Sequence, residues 1–135
     1  TNTTADTAAT ATACDDKLST GSSNWTTFGD GDTLWQSGLN DPCPTGYRIP
    51  TEAELLIEID EFSSNNTVGA FSALKLPLAG YRDGNGALSN VGSSGYYWSS
   101  TVSSTNARNL DFNSSNANMY NGLRAYGLSV RCIKD

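Results

Sequence analysis

The residues best suited to chemistry lie toward the C-terminal end of the sequence, where Asn is concentrated. Residues 106–121 contain six Asn, at positions 106, 109, 113, 116, 118 and 121. Asn is a poor strand former, so a sheet would not select it for stability. With exposed Tyr, Ser and Gly it supplies the adaptable hydrogen bonding of antibody-like binding surfaces. The segment is therefore interpreted either as a polar loop or edge, or as a recognition surface.

The sequence lacks the residue types that most enzymes and metal sites use. It has no His, and hence neither the commonest general base nor the commonest metal ligand. Its three Cys, at positions 14, 43 and 132, are too dispersed for a CxxC-type metal site and permit one disulfide plus one odd thiol. The acidic turns at 30–32 and 83–86 complete no EF-hand pattern. We therefore expect no enzyme activity, no cofactor and no metal.

Composition and charge narrow the class further. The 135 residues are enough for one compact domain, and 37% hydrophobic residues with 13 Gly favour a turn-rich fold that contains strands. The formal net charge of −6 disfavours nucleic acid as a partner. No apolar run approaches the roughly 20 residues that span a bilayer, so no direct membrane insertion is expected. Residues 1–14 are almost wholly Thr, Ala, Asn and Asp, which is typical of a linker.

One helix is predicted over residues 50–62. Thr51 and Glu54 form a capping box, and Leu55, Leu56, Ile59 and Phe62 recur at helical spacing. The apolar stretch 70–76 is either a further turn of helix or a loop anchor.

The C-terminal half carries strand patterns. Residues 78–82 and 87–91 flank an Asp-Gly-Asn-Gly turn and predict a hairpin. Residues 96–102 form a strand rich in aromatic residues, and 109–113 and 128–132 alternate apolar and polar side chains. Short strands are also expected between 18 and 40, around Trp25, Phe28 and Trp35. We expect an α+β domain with an antiparallel sheet, in which the following side chains are buried on one core: Leu55, Leu56, Ile59, Trp98, Leu110, Phe112, Leu128 and Val130.

Four ordered motifs carry a family resemblance: DPCPTGYRIPTEAEL at 41–55, LPLAGYR at 76–82, GYYWSST at 95–101 and GLSVRCIKD at 127–135. Together they resemble the major paralogous domain first described in Fibrobacter succinogenes, which has a C-type lectin fold with short antiparallel sheets, one or two helices and many loops. The resemblance covers about residues 25–135. It divides the chain into a Thr/Ala-rich arm or linker at 1–23 and a C-type lectin-like ligand-binding domain at 24–135.

Domains of this kind resemble the variable proteins of diversity-generating retroelements, whose C-terminal segment is rewritten at adenines. Randomised Asn codons of the AAC type would leave the observed mixture of Asn with Tyr, Ser, Gly and Asp at about 96–126. The resemblance implies a module that binds a macromolecular ligand, a protein on a cell surface, with an extracellular, cell-surface or virion-surface location. A carbohydrate-binding lectin and a non-diversified structural surface domain are the alternatives. The resemblance also implies a disulfide between Cys43 and Cys132, because both lie in the family-like body and Cys14 does not.

The expected binding site follows from the parity of the 109–113 strand. Asn109, Asp111 and Asn113 share the face opposite Leu110 and Phe112, and the 114–126 segment must return beside them. We therefore expect one contiguous exposed patch, in which Tyr120 and Tyr126 are the main anchors. Its members are Tyr97, Asn106, Arg108, Asn109, Asp111, Asn113, Tyr120, Gly122, Leu123 and Tyr126.

Overall fold

The computed structural model describes residue 35 and residues 41–135. The expected arm at 1–23, Cys14 and the strands expected around Trp25 and Phe28 lie outside the described residues. At Trp35, where a strand was also expected, the chain forms a turn. The elements within them, in chain order, are β1 (Tyr47–Arg48), α1 (Glu52–Asp60), α2 (Thr67–Leu74), β2 (Tyr81–Arg82), β3 (Leu88–Ser89), β4 (Gly95–Ser103), β5 (Asn106–Phe112), β6 (Ala117–Leu123) and β7 (Ile133–Lys134). The strands pair antiparallel as β1–β7, β2–β3 and β4–β5–β6. The described part is thus a small α+β domain, as expected.

Helix α1 begins at the predicted capping box. The Thr51 hydroxyl accepts from the Glu54 backbone N–H, while the Glu54 carboxylate accepts from the Thr51 N–H. Leu55 and Ile59 are buried, but Leu56 is 43% exposed, so the expected burial of Leu56 was wrong. Residues four apart share a helix face, whereas Leu56 is rotated about 100° away from Leu55.

Helix α2 resolves the alternatives left open for the 70–76 stretch. It starts earlier than that stretch, after Asn66, whose side chain accepts from the Val68 N–H at 2.9 Å. It ends at Lys75, which has the left-handed φ of 55° that terminates many helices. Ala70 on this helix packs in the core with Leu55 and Ile59.

The three-stranded sheet β4–β5–β6 forms the other side of the core. Leu110 and Phe112 on β5 are fully buried, as predicted, and pack with the two helices. Strand β6 was not predicted as a strand, because its Asn residues have low strand propensity. Its register is nevertheless continuous, with pairs from Asn106–Leu123 to Phe112–Ala117.

The predicted 128–132 strand needs correction. The segment bonds to β4 only around Ser129, whose N–H donates to the Tyr96 carbonyl at 3.1 Å and whose carbonyl accepts from the Trp98 N–H at 2.9 Å. The bridge is parallel, and Leu128 and Val130 are half-buried rather than buried. Strands β4 and β6 run in the same direction, because each is antiparallel to β5. The segment that follows β6 also runs in that direction where it meets β4.

The segment before α1 is linked covalently and by hydrogen bonds to the C-terminal segment. The expected disulfide joins Cys43 to Cys132 with a Cα separation of 5.8 Å. Beside it, β1 pairs with β7, and the Arg48 guanidinium donates to both carboxylate oxygens of Glu54 at 2.6 and 2.8 Å. Arg48 also lies 3.2 Å from the Asp135 carboxylate. These contacts join the start of α1 to the C-terminal strand.

The Arg48–Glu54 pair predicts acid sensitivity. Hydrogen bonding to Arg48 lowers the pKa of Glu54 from 4.5 to about 2. Since the folded-state pKa is depressed, ionised Glu54 stabilises the fold above pH 4.5, and this stabilisation is lost as the pH falls toward 2. We expect Glu54→Gln to lower the free energy of unfolding by about 1 kcal/mol at pH 7, a modest value because solvent screens the pair. Urea unfolding at pH 7 and pH 2.5 measures the difference.

The matched control is Glu61→Gln, at an exposed position just after α1. It should change stability by less than about 0.5 kcal/mol at either pH. If Glu54→Gln kept the full acid dependence of the wild type, the Arg48–Glu54 pair would not be its source.

Candidate functional site

The register of the sheet divides its side chains between two faces. Cross-strand partners share a face, so the pairs Tyr97–Leu110 and Arg108–Asn121 point toward the helices. The pairs Tyr96–Asp111, Trp98–Asn109 and Asn109–Tyr120 point to the opposite side. The predicted site residues therefore do not form one patch. The prediction includes consecutive positions of a strand, such as 108 and 109, and these point to opposite faces of the sheet.

Several predicted site residues belong to the helix side of the sheet. Tyr97 is only 4% exposed, and its hydroxyl donates to the Pro77 carbonyl at 3.1 Å. Burial raises the pKa of the Tyr97 hydroxyl. Asn106 and Leu123 pair with each other on the same side. The expected exposure of Tyr97 was therefore wrong, because its ring packs in the core against Phe112 at a centroid distance of 5.9 Å.

Arg108 also has a structural partner instead of facing solvent. Its Nε donates to the Glu52 carboxylate at 2.7 Å, and its Nη1 donates to the Asn121 side-chain oxygen at 2.9 Å. These bonds connect β5 to the first turn of α1 and to β6. Arg108 is thus already paired within the domain and is removed from the expected patch.

Asn113 lies in the connection between β5 and β6. Its side-chain oxygen accepts from the backbone N–H groups of Ser115 at 2.8 Å and Asn116 at 3.2 Å. This is the local turn bonding that favours Asn in tight connections. Asn113 therefore stabilises a turn rather than contributing to a common surface with Asn109.

The other five predicted residues come together in a cleft on the face away from the helices. This tyrosine cleft has a volume of about 250 Å³. Its lining consists of Tyr81, Tyr96, Asn109, Asp111, Tyr120, Asn121, Gly122, Tyr126 and Leu128. Of these, Asn109, Asp111, Tyr120, Gly122 and Tyr126 were predicted from the sequence.

Three tyrosines form a contiguous aromatic group in the tyrosine cleft. The Tyr81 ring meets the Tyr96 ring edge-on at 4.8 Å and the Tyr126 ring at 5.4 Å. The Asn90 amide donates to the Tyr96 hydroxyl at 2.7 Å, which helps fix that ring. Tyr120 projects from β6 and is 44% exposed. The cleft thus combines fixed aromatic surface with one accessible tyrosine.

The floor of the cleft is closely packed. Trp98 is 6% exposed, so its predicted burial is confirmed, although it lies on the cleft side rather than among the helices. A Cβ at Gly122 would lie 2.8 Å from Trp98 Cη2 and 2.9 Å from Asn109 Oδ1. Asn109 is 4% exposed. The expected exposure of Asn109 and Gly122 was therefore wrong, because Trp98 and the neighbouring strand cover them.

Asp111 is the charged residue of the cleft lining. Its Oδ1 is buried and has no hydrogen-bond partner among the described residues. Burial raises the pKa of this carboxyl group. An unpaired carboxylate in such a position costs folding free energy, which a ligand with complementary charge would recover.

Four residues of the cleft lining are absent from the predicted site: Tyr81, Tyr96, Asn121 and Leu128. Tyr81 and Tyr96 stand in the quoted motifs LPLAGYR and GYYWSST, but the second motif has aromatic residues at three successive positions. The alternation of apolar and polar residues therefore does not show there which side chains share a face, and the prediction of Tyr97 instead of Tyr96 was wrong. Tyr81 lies on a separate hairpin, and no local pattern places that hairpin beside the sheet.

Residues 35 and 41–135 contain no group of three or more Cys, Asp or Glu side chains that could hold a metal ion. Within those residues, no helix has the length and apolar character needed to cross a membrane.

Fold and site together define a small disulfide-linked α+β domain with a tyrosine-lined surface cleft. The chain belongs to the family described as a domain of unknown function, DUF8237, whose model matches residues 56–133. No curated protein and no solved structure matches the chain. The matched region runs from within α1 to β7 and contains every residue that lines the tyrosine cleft.

Asp111 predicts that the domain gains stability when its charge is removed. Because its folded-state pKa is raised, the folded protein binds the proton more tightly than the unfolded chain, and ionised Asp111 destabilises the fold at neutral pH. We expect Asp111→Asn to melt at a higher temperature than the wild type at pH 7, with the difference shrinking as the pH is lowered toward 4. Thermal melts across this range measure the effect.

Asp60→Asn removes the same charge from an exposed position on α1 and should shift the melting temperature much less. A lower melting temperature for Asp111→Asn at pH 7 would contradict the destabilising role of the carboxylate.

Proposed function

We propose that this domain is a ligand-binding module without enzyme activity, and that the tyrosine cleft contacts a macromolecular ligand, a protein on a cell surface. The observation that carries the proposal is the composition of the cleft, in which tyrosines and a carboxylate converge on one face of a braced sheet. Tyrosine is enriched among the residues that dominate binding energy at protein interfaces. The sheet holds the cleft side chains in fixed positions, so less conformational entropy is lost when a partner binds.

We further propose that the fold is C-type lectin-like. Two helices on one side of an antiparallel sheet, with β1 and β7 paired near the Cys43–Cys132 disulfide, support this proposal. The disulfide also supports an extracellular, cell-surface or virion-surface location, because such bonds persist in oxidising surroundings.

A carbohydrate-binding lectin is the second candidate. The observation that favours it is the edge-to-face contact of Tyr81 with Tyr96 beside a carboxylate in the same cleft, since aromatic rings and carboxylates also hold sugars. A glycan array probed with and without calcium discriminates the candidates. Calcium-dependent glycan binding would favour the lectin.

The binding proposal predicts the effect of two substitutions. We expect Tyr120→Ala with Tyr126→Ala to weaken binding to a displayed cell-surface ectodomain by about 10- to 100-fold, because interface tyrosines carry much of the binding free energy. The probe is the labelled full chain, titrated on a library of displayed ectodomains and on the glycan array. Binding by the double variant and by the wild type is compared under conditions in which thermal melts show both proteins to be folded.

Tyr47→Ala is the matched control, since Tyr47 has similar exposure but lies on β1, outside the cleft lining. It should bind as the wild type does. Equal binding by the double variant and the wild type would place the recognition surface elsewhere and overturn the proposal.

Membership among the retroelement-diversified proteins is also proposed, and it predicts a pattern in the coding DNA. A near-identical template repeat should differ from the gene at adenines, and the differing codons should concentrate at cleft positions such as Asp111, Tyr120 and Tyr126. Codons for Leu110 and Phe112 should be unchanged, because replacing either residue would open a cavity in the core. Sequencing the gene with its flanking DNA provides the test. Absence of a template repeat and of a reverse transcriptase gene would leave a non-diversified domain.

A further inference from the structure

The tyrosine cleft combines two features that together select a ligand chemistry. One is the group formed by Tyr81, Tyr96 and Tyr126, whose faces carry the negative end of the ring quadrupole. The other is Asp111, whose buried Oδ1 has no hydrogen-bond partner in the described part of the chain. Since Asp111 is the register partner of Tyr96, these features lie side by side on one face of the sheet.

We propose that the tyrosine cleft binds the guanidinium group of an arginine side chain on the protein ligand, with Asp111 as its ion-pair partner and the tyrosines stacked against it. This inference rests on the proposed function and specifies what the cleft recognises. Among biological cations, guanidinium is planar, weakly hydrated and able both to stack on aromatic rings and to bond a carboxylate with two N–H groups.

The size of the cleft agrees with one side-chain head group. Its volume of about 250 Å³ lies just below the range of roughly 300–1,000 Å³ that is usual for drug-sized ligands. A whole peptide would not fit within it, but a single side chain presented by a folded partner would. The rest of such a partner would then rest on the rim around exposed Tyr120.

Among residues 35 and 41–135, no Arg or Lys lines the cleft, so this part of the chain supplies no cation to the position. The nearby Arg82 directs Nη1 to the Gly86 carbonyl at 2.7 Å, toward the hairpin turn. Arg108 is paired with Glu52 on the opposite face. The formal net charge of −6 also favours the approach of a basic partner.

The test uses small probes and needs no knowledge of the protein ligand. The full chain is titrated with Nα-acetyl-arginine methylamide, and binding is followed by amide and indole NMR shifts. The neutral isostere Nα-acetyl-citrulline methylamide is the matched probe. We expect arginine-dependent shifts at Trp98, Asp111 and Tyr120, with a dissociation constant of about 1–10 mM. The citrulline probe should bind about tenfold more weakly or not at all.

Variants assign the interaction to its two components. Asp111→Asn should weaken arginine binding about tenfold, while Asp60→Asn, which removes the same charge from exposed α1, should leave it unchanged. Tyr126→Leu removes an aromatic face without changing charge and should also weaken binding, so the test stands even if Asp111→Asn fails to fold. The NMR spectra report the folding of each variant directly.

The outcomes separate this inference from the proposed function. Equal shifts with arginine and citrulline, or arginine shifts confined to residues outside the cleft, would overturn the guanidinium assignment. So would unaltered arginine binding in both Asp111→Asn and Tyr126→Leu. A protein ligand that depends on Tyr120 and Tyr126 but not on Asp111 would leave the proposed function standing and reject the guanidinium alone.

Discussion

The alternation of side chains along β5 couples the core of this domain to its surface cleft. Leu110 and Phe112 fill the core beneath the helices, so Asn109 and Asp111 must face the other way. A one-residue slip would exchange the two sets and expose both apolar residues. Gly95 supports this register, because the Phe112 ring lies where a Cβ of residue 95 would be. The packing of the core therefore fixes the position of every cleft residue on the sheet.

The body is braced outside the cleft lining, at the junction of α1 with β1 and β7. The disulfide closes a span of 89 residues and, on the chain-entropy view, removes freedom mainly from the unfolded chain. Glu54 makes two stabilising interactions, because it completes the capping box of α1 and forms an ion pair with Arg48. With stability supplied here, the domain tolerates an unpaired carboxylate at Asp111, a destabilising feature of the kind that functional sites often retain.

Local rules predicted the elements whose signals are local. The capping box located α1, the Asp-Gly-Asn-Gly turn located the hairpin, and the alternation in 109–113 gave the correct parity of β5. Long-range placement was not accessible in this way. Arg108 and Glu52 are 56 positions apart, so no sequence pattern showed that they pair. Strand β6 was missed because its partner β5, and not its own propensity, holds it in the sheet.

The Asn-rich composition that first indicated a binding surface has more than one physical origin. Asn113 bonds the turn that joins β5 to β6, and the Asn121 side chain accepts from Arg108 on the helix side. Asn109 is buried beside Trp98 and Gly122. Some side chains line the cleft but make none of these contacts, such as those of Tyr120 and Tyr126. These positions can vary without disturbing the sheet. Under the proposed function, variation at the cleft would therefore act through the tyrosines and Asp111, while Asn109, Asn113 and Asn121 maintain the sheet and the turn beside them.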